Sequence, residues 1–419
     1  MRKTLIAFAL LGGITFPSIH AQETLAAAPI DSTLLSELPE SMQSDIDSLF
    51  LDWHSKTHLS FDETCQAATA NPVVSDSIYI DRLSRIPSLM ELPFNEPVKK
   101  NIEHYTGKLR NKVSFMLAAS NFYMPIIEEA LDTYDMPQEL KYLPIIESAL
   151  NPKAVSRRGA TGLWQFMLKT GKMYGLENNS LVDDRRDPVK STWAAVRYLK
   201  DLYNIYSDWT LAIAAYNCGP GNVNKAIRRA GGSTDYWAIY DFLPRETRGY
   251  VPAFIAATYV MNYYCEHGIC PMETELPAPS DTVHIHQDLH LQQVADVCSV
   301  DIEHLRSLNP QYKKDLVPGN SKTSVLRLPN QLVSHFIDLQ DTIFAHEADK
   351  YHKKRKTATV KTSTASQTYT SKGATYHKIR QGDTLGGIAI KYGTTVKRLR
   401  DLNGISGNNI TAGKTIRVK

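Results

Sequence analysis

Between Leu143 and Met167 the chain reads Leu-Pro-Ile-Ile-Glu-Ser-Ala-Leu-Asn-Pro-Lys-Ala-Val-Ser-Arg-Arg-Gly-Ala-Thr-Gly-Leu-Trp-Gln-Phe-Met. One side chain in it is placed for acid–base chemistry. Glu147 falls late in a predicted helix that Asn151-Pro152 stops, because the residue before a proline is driven out of the α region. Its neighbours one turn away are Leu143, Pro144 and Leu150. A carboxyl among apolar neighbours is desolvated, its pKa rises, and it keeps its proton near neutrality, which is the state a general acid needs. A helix-end glutamate open to water fits the spacing equally well. Gly159 and Gly162 then permit tight turns, and Trp164 and Phe166 supply aromatic surface.

Glu147-Ser148, Asn151-Pro152, Ser156 and Gly159-Ala160-Thr161-Gly162-Leu163-Trp164-Gln165-Phe166-Met167 together resemble the signature of the lytic transglycosylases with a goose-type-lysozyme-like domain. Ala215-Tyr216-Asn217-Cys218-Gly219-Pro220-Gly221 is similar to their second motif, and Glu246-Thr247-Arg248-Gly249-Tyr250-Val251-Pro252 to their third. The chain also resembles the membrane-bound lytic murein transglycosylase D type, which joins this domain to a C-terminal LysM module. That resemblance implies an all-α lysozyme-like catalytic domain over 96–276, with Glu147 catalytic. It implies that Ser156, Gln165, Met167, Tyr216 and Asn217 line a sugar cleft, with Tyr250 beside them. Core packing is also a sensible role for Trp164 and Tyr216.

Glycoside hydrolysis normally uses two carboxylates. The motifs offer one placed for acid chemistry, since the resemblance gives Glu246 a structural role. The lytic transglycosylases use the substrate itself as nucleophile. Glu147 would protonate the glycosidic oxygen between N-acetylmuramic acid and N-acetylglucosamine, then take the proton from the muramoyl C6 hydroxyl as a 1,6-anhydro ring closes. Neither cofactor nor metal is called for. A muramidase that admits water, and a wall-binding scaffold with an inert domain, are the rival readings; an intact Glu147 motif speaks against the scaffold.

The 419 residues suit two or three domains, and the composition is that of a globular protein. A formal charge of +3 argues for no particular partner, nucleic acid included. Residues 1–21 read as a cleaved secretory signal: Arg2-Lys3, an apolar run from Leu5 to Phe16, and Ser18-Ile19-His20-Ala21 before Gln22. No cysteine stands at that cleavage point to carry a lipid, the first being Cys65, so the expected location is the periplasm. Cys265 and Cys270 could bridge in that compartment or remain buried thiols. His267 between them offers too few companions for a zinc site.

Residues 22–95, broken by prolines, read as an extension lying on the catalytic domain. Helices are expected over Val98–Met116, Phe122–Tyr134, Pro137–Leu150, from Asp187-Pro188 to Tyr206, from Asp208 to Ala215, and from Arg248 to Tyr264. The last is shorter than a membrane span and contains Pro252 and Asn262, which fits a buried core helix. Lys169-Thr170-Gly171-Lys172 lacks the first glycine of a phosphate loop and has Met173 where Ser or Thr is required.

Residues 281–345 follow the βααβ order of a LysM module, but Gln287-Asp288-Leu289-His290 replaces the usual Gly-Asp-Thr-Leu, so the copy is degenerate. His284, His286 and His290 within it lack a carboxylate or cysteine partner at ligand spacing. Residues 346–375, with the basic run His352–Lys356 and a Ser/Thr-rich stretch, read as a solvated linker. Residues 376–419 closely resemble LysM, which implies binding of N-acetylglucosamine in a groove formed by Gly382, Asp383, Thr384 and Leu385 and by Asn409 and Ile410.

Overall fold

Local capping chemistry sets several of the helix starts. Asp187 accepts hydrogen bonds from the Val189 and Lys190 amides and opens Pro188–Tyr206, while Asp208 accepts from Leu211 and opens Trp209–Cys218. The computed structural model describes residues 71–272, 280–351, 368–371, 374–379, 383–407, 410–411 and 413–418. The predicted signal and the run His352–Lys356 lie outside these. The protein is mainly α-helical, and it divides into one unit ending at Phe344 and a second beginning at Ala345. Among the described residues no helix is long and apolar enough to cross a membrane.

The first unit opens with α1 (Asp76–Arg85), α2 (Glu96–Thr106), α3 (Arg110–Thr133), a 3₁₀ turn (Gln138–Tyr142) and α4 (Leu143–Ser148). There follow α5 (Leu168–Met173), α6 (Pro188–Tyr206), α7 (Trp209–Cys218), α8 (Pro220–Arg229), α9 (Tyr236–Ile239), α10 (Arg245–Arg248) and α11 (Tyr250–Tyr263). The last is the hub of the core. Every residue from Tyr250 to Val260 is buried, and the helix packs on α2 and on the short α4 that carries Glu147. Tyr79 and Leu83 of α1 join the same core, so the end of the predicted extension is packed onto the helical domain.

Two predicted boundaries move. The periodic run Val98–Met116 is interrupted at Gly107, where a Cβ would stand 2.7 Å from the Glu103 carbonyl oxygen. The helix that resumes at Arg110 then passes unbroken through Pro125, its cost carried by a face with many buried residues. In addition, α4 ends before Asn151-Pro152 can stop it. Ala149 and Leu150 take left-handed φ values of 50° and 60°, and their amides bond back to Ile145 and Pro144.

Antiparallel β1 (Ser280–Ile285) and β4 (Ser324–Pro329) flank α12 (Leu291–Cys298) and α13 (Ile302–Leu308), which is the expected βααβ order. A two-residue ladder joins β2 (Leu289–His290) to β3 (Leu316–Val317), and α14 (Asn330–Asp338) and α15 (Gln340–Ala345) follow. His290 caps α12 through Nδ1, while His284 and His286 are exposed on β1 and just beyond it.

In the second unit, α16 (Ala348–Tyr351) and β5 (Thr368–Ser371) fall inside the stretch read as linker, and β5 pairs with β6 (Ala374–Lys378), an extension of the sheet that low apolar content concealed. Helices α17 (Leu385–Lys391) and α18 (Val396–Asn403) and strand β7 (Thr415–Arg417) complete it around Ile388, Leu399, Ile416 and Val418.

The two cysteines left open by the sequence part company: Cys265 is an exposed free thiol, whereas Cys270 is buried and disulfide-bonded, its partner outside the described residues. His267 between them is fully buried in a polar chain. Arg82 donates to Tyr259 (2.9 Å), the Tyr259 hydroxyl lies 2.9 Å from Nε2, and Nδ1 lies 2.8 Å from Asn71 Oδ1. Burial, with Arg82 and Arg110 nearby, pushes its pKa down to about 4, so the ring folds neutral. The unfolded chain therefore binds a proton that the folded chain refuses below pH ~6.5, and stability should fall as pH drops from there towards 4. The expected contribution is on the order of 2–3 kcal/mol. Thermal denaturation of wild type and His267→Gln checks this: the variant should show the flatter pH dependence between pH 6.5 and 5, and parallel curves would contradict it.

Candidate active site

Bonds between three distant stretches of chain close the site. The Tyr250 hydroxyl, at the start of α11, donates to Glu147 Oε1. Tyr216 on α7 donates to the Trp164 carbonyl at 2.8 Å, tying the second motif to the first. Thr247 on α10 donates to Asn217 Oδ1 at 2.8 Å, tying the third to the second. Arg158 and Glu246 form a two-pronged ion pair at 3.1 Å on the surface, a second tie between first and third.

Glu147 is half-buried, flanked on α4 by buried apolar side chains. Loss of water around its carboxyl outweighs the hydrogen bond from Tyr250 and pushes its pKa up to about 7. Tyr250 is 1 % exposed, and burial together with the Glu147 charge holds its own pKa far above the ordinary phenol value. Tyr216 is raised for the same two reasons. Both phenols therefore stay protonated as donors while Glu147 alone exchanges its proton near neutrality.

The turn after α4 supplies the rest of the surface. The Ser156 amide donates to the Ala160 carbonyl at 2.9 Å, its carbonyl accepts from the Gly159 amide at 2.9 Å, and its hydroxyl accepts from the Ala160 amide at 3.0 Å. Gly162 has φ +89°, and a Cβ there would lie 1.8 Å from the Arg185 carbonyl oxygen, so no other residue fits. Gln165, also left-handed at φ 46°, turns its amide nitrogen to the carbonyls of Gly162 (2.9 Å) and Ala154 (3.3 Å). Met167 is exposed two residues on. Trp164 is wholly buried and donates to Thr192 Oγ1 at 2.9 Å, which makes it a core residue. Tyr216 packs edge-on to Trp164 and Phe166 but remains half-buried.

Sequence reasoning missed what lies beneath this turn. Arg185 and Asp183, in the charged run before α6, are buried and ion-paired at 2.8 Å, and Arg185 also donates to the Gly159 and Phe166 carbonyls. The only signal was a charged cluster beside an obvious helix cap.

In the second unit, Asp383 Oδ2 meets buried His377 Nε2 at 2.8 Å, Thr384 is exposed, Leu385 is buried in the small core, and Ile410 packs against it. Gly382 and Asn409 lie outside the described residues.

The class follows from comparison with known domains. Residues 124–239 match the Transglycosylase SLT domain, 280–345 match "Lytic transglycosylase MltD, LysM-like domain", and 377–419 match the LysM domain. The chain is 31 % identical over 335 residues to the membrane-bound lytic murein transglycosylase D of Escherichia coli K12, covering 78 % of this chain and 70 % of that protein. It therefore belongs to the lytic murein transglycosylase D family. It is also 34 % identical over 124 residues to the soluble lytic murein transglycosylase of the same strain, 28 % of this chain and 19 % of the other. The crystal structure of the 70 kDa soluble lytic transglycosylase from Escherichia coli aligns at 30 % identity over 34 % of this chain and 24 % of its own length, with a TM-score of 0.30.

The raised pKa has a cost for folding. Glu147 titrates near 4.5 when unfolded and near 7 when folded, so its contribution is intact below pH 4.5 and is lost as pH rises through 7. At pH 8 the buried carboxylate should cost up to about 3 kcal/mol. Glu147→Gln should consequently melt several degrees above wild type at pH 8 and near it at pH 5; equal melting at pH 8 would contradict the desolvation.

Proposed function

We propose that this protein cleaves the β-1,4 bond between N-acetylmuramic acid and N-acetylglucosamine in peptidoglycan as a lytic transglycosylase, leaving 1,6-anhydromuramoyl ends. The observation that carries this reading is a single desolvated carboxyl with a pKa near 7, held by Tyr250 where three motifs meet. A group half-protonated at neutral pH serves in both directions. Glu147 gives its proton to the departing glycosidic oxygen as the bond to muramoyl C1 breaks. The C6 oxygen then bonds to C1, and the C6 hydroxyl proton passes to the Glu147 carboxylate, restoring the acid. The other motif carboxylate, Glu246, is exposed and paired with Arg158, which suits it poorly to activate water.

Ser156, Gln165, Met167, Tyr216 and Asn217 are the proposed glycan contacts, with buried Tyr250 beside them holding Glu147. The C-terminal module is proposed to bind N-acetylglucosamine through Gly382 to Leu385 and through Asn409 and Ile410, with buried Leu385 setting the loop rather than touching sugar. Action in the periplasm after removal of residues 1–21 completes the reading.

Products from purified wall decide the chemistry. A held hydroxyl has a large effective molarity over mobile water, so muramoyl ends should be one water lighter than hydrolytic ends and resist borohydride. Products dominated by reducible ends would assign the protein to the muramidases. Glu147→Gln should lower release at least about 100-fold.

The small module has a separate test. Deleting 376–419 should weaken sedimentation with insoluble peptidoglycan more than turnover of short soluble chains, because a tethered binder raises local concentration. Equal losses in both assays would make the module part of the catalytic fold.

A further inference from the structure

The turn that carries Gln165 and Met167 is fixed from outside its own stretch of chain. Arg185 Nη1 donates to the carbonyls of Gly159 (3.0 Å) and Phe166 (3.1 Å), the two ends of the turn, and the Arg185 carbonyl is the wall against which Gly162 is pressed. Asp183 clamps the same guanidinium with both oxygens, to Nε at 2.9 Å and to Nη2 at 2.8 Å. A buried guanidinium needs such a partner, and its planar fork is held in one orientation by a two-pronged bond.

Asp183 is in turn held by the LysM-like domain. Its amide donates to the Gln311 carbonyl at 2.9 Å, and Lys313 donates back to the Leu181 carbonyl at 2.8 Å. Val182 pairs with Tyr312 across an isolated bridge. The Val182 side chain is buried in the core of the LysM-like domain, with Ile285, Leu326 and Leu328, although it belongs to the helical domain by sequence. Outside this core, Lys322 pairs with Glu177.

The loops that would frame a sugar groove in this degenerate copy are closed on each other. Asp288 Oδ1 accepts from the Asn320 amide at 3.0 Å, and a Cβ on Gly319 would stand 2.3 Å from the Gln287 carbonyl oxygen.

We propose that the LysM-like domain is a brace for the substrate turn, and that Asp183 and Arg185 are the positioning residues through which it acts. The proposal rests on the reading that residues 156–167 hold glycan. Its consequence is specific. Loosening the brace leaves Glu147 and Tyr250, which sit on α4 and α11, in place, and releases the turn beside them. Substrate binding should suffer while the ionisation of the acid does not.

The test uses the full chain with Val182→Ala, which hollows the shared core, and Asp183→Asn, which unclamps Arg185. Hydrogen–deuterium exchange reads the turn without any need for activity. The amides of Gly162 and Phe166, bonded to the carbonyls of Ala154 and Thr161, should exchange roughly tenfold faster in both variants, with α6 unchanged. KM for short soluble glycan should rise roughly tenfold, and the alkaline limb of the pH profile should stay at its wild-type position. Ile205→Ala, at an exposed position on α6 outside both the site and the brace, is the control and should change none of these. Unchanged exchange over 159–167 alongside faster exchange over 280–329 would overturn the brace. So would loss of the whole fold in both variants, since the proposal requires the helical domain to stand with the turn released. If the turn loosens as expected but the products lack anhydro ends, the brace holds and only the reading of the reaction falls.

Discussion

Burying one carboxyl is the constraint from which the rest of this structure follows. A half-buried acid without a countercharge is unfavourable when ionised, and among the described residues Glu147 is given a single phenolic donor instead of a lysine or arginine. A cation in that place would stabilise the carboxylate and hold the proton off at neutral pH. Tyr250 can donate without supplying charge, and its own burial keeps it from ionising. The choice of partner is what leaves the acid poised.

Holding that arrangement requires strain elsewhere. Ala149, Leu150 and Gln165 all adopt left-handed backbone, at a cost of order 1–2 kcal/mol each for residues other than glycine. The first two sit fully buried just after Glu147, so core packing compels them. The third is held by the turn around Gly162 and by Arg185 beneath it. Strained backbone persists where the surroundings over-determine it, and here they do so from α11, from the Asp183–Arg185 pair and from the LysM-like domain behind that pair.

The chemistry was more legible than its support. Glu147 and the glycines could be read from residue type and spacing, because desolvation by Leu143, Pro144 and Leu150 is a local property of a helix face, whereas the motif tyrosines came only from the family resemblance. Helix starts at Asp187 and Asp208 were likewise local, written in a side chain that accepts from its own next turn. What escaped was decided at long range. Gly107 breaks a run whose periodicity looks continuous, and Pro125 is tolerated inside a helix because surrounding packing outweighs one lost hydrogen bond. Asp183 and Arg185 went unread because their meaning depends on carbonyls 19 and 26 residues away and on a second domain. The strand Thr368–Ser371 has too few apolar residues to announce itself and exists through its pairing with Ala374–Lys378.

The account stands on the ionisation of one group, and that can be observed directly. Carbon-detected NMR of protein labelled at the glutamate carboxyl carbon, with the Glu147→Gln variant to assign the resonance, follows that carboxyl through pH. A midpoint close to 7 is the predicted result. A midpoint near 4.5, the value of a glutamate in water, would mean that Glu147 is ionised at neutral pH and that the acid of this site lies elsewhere.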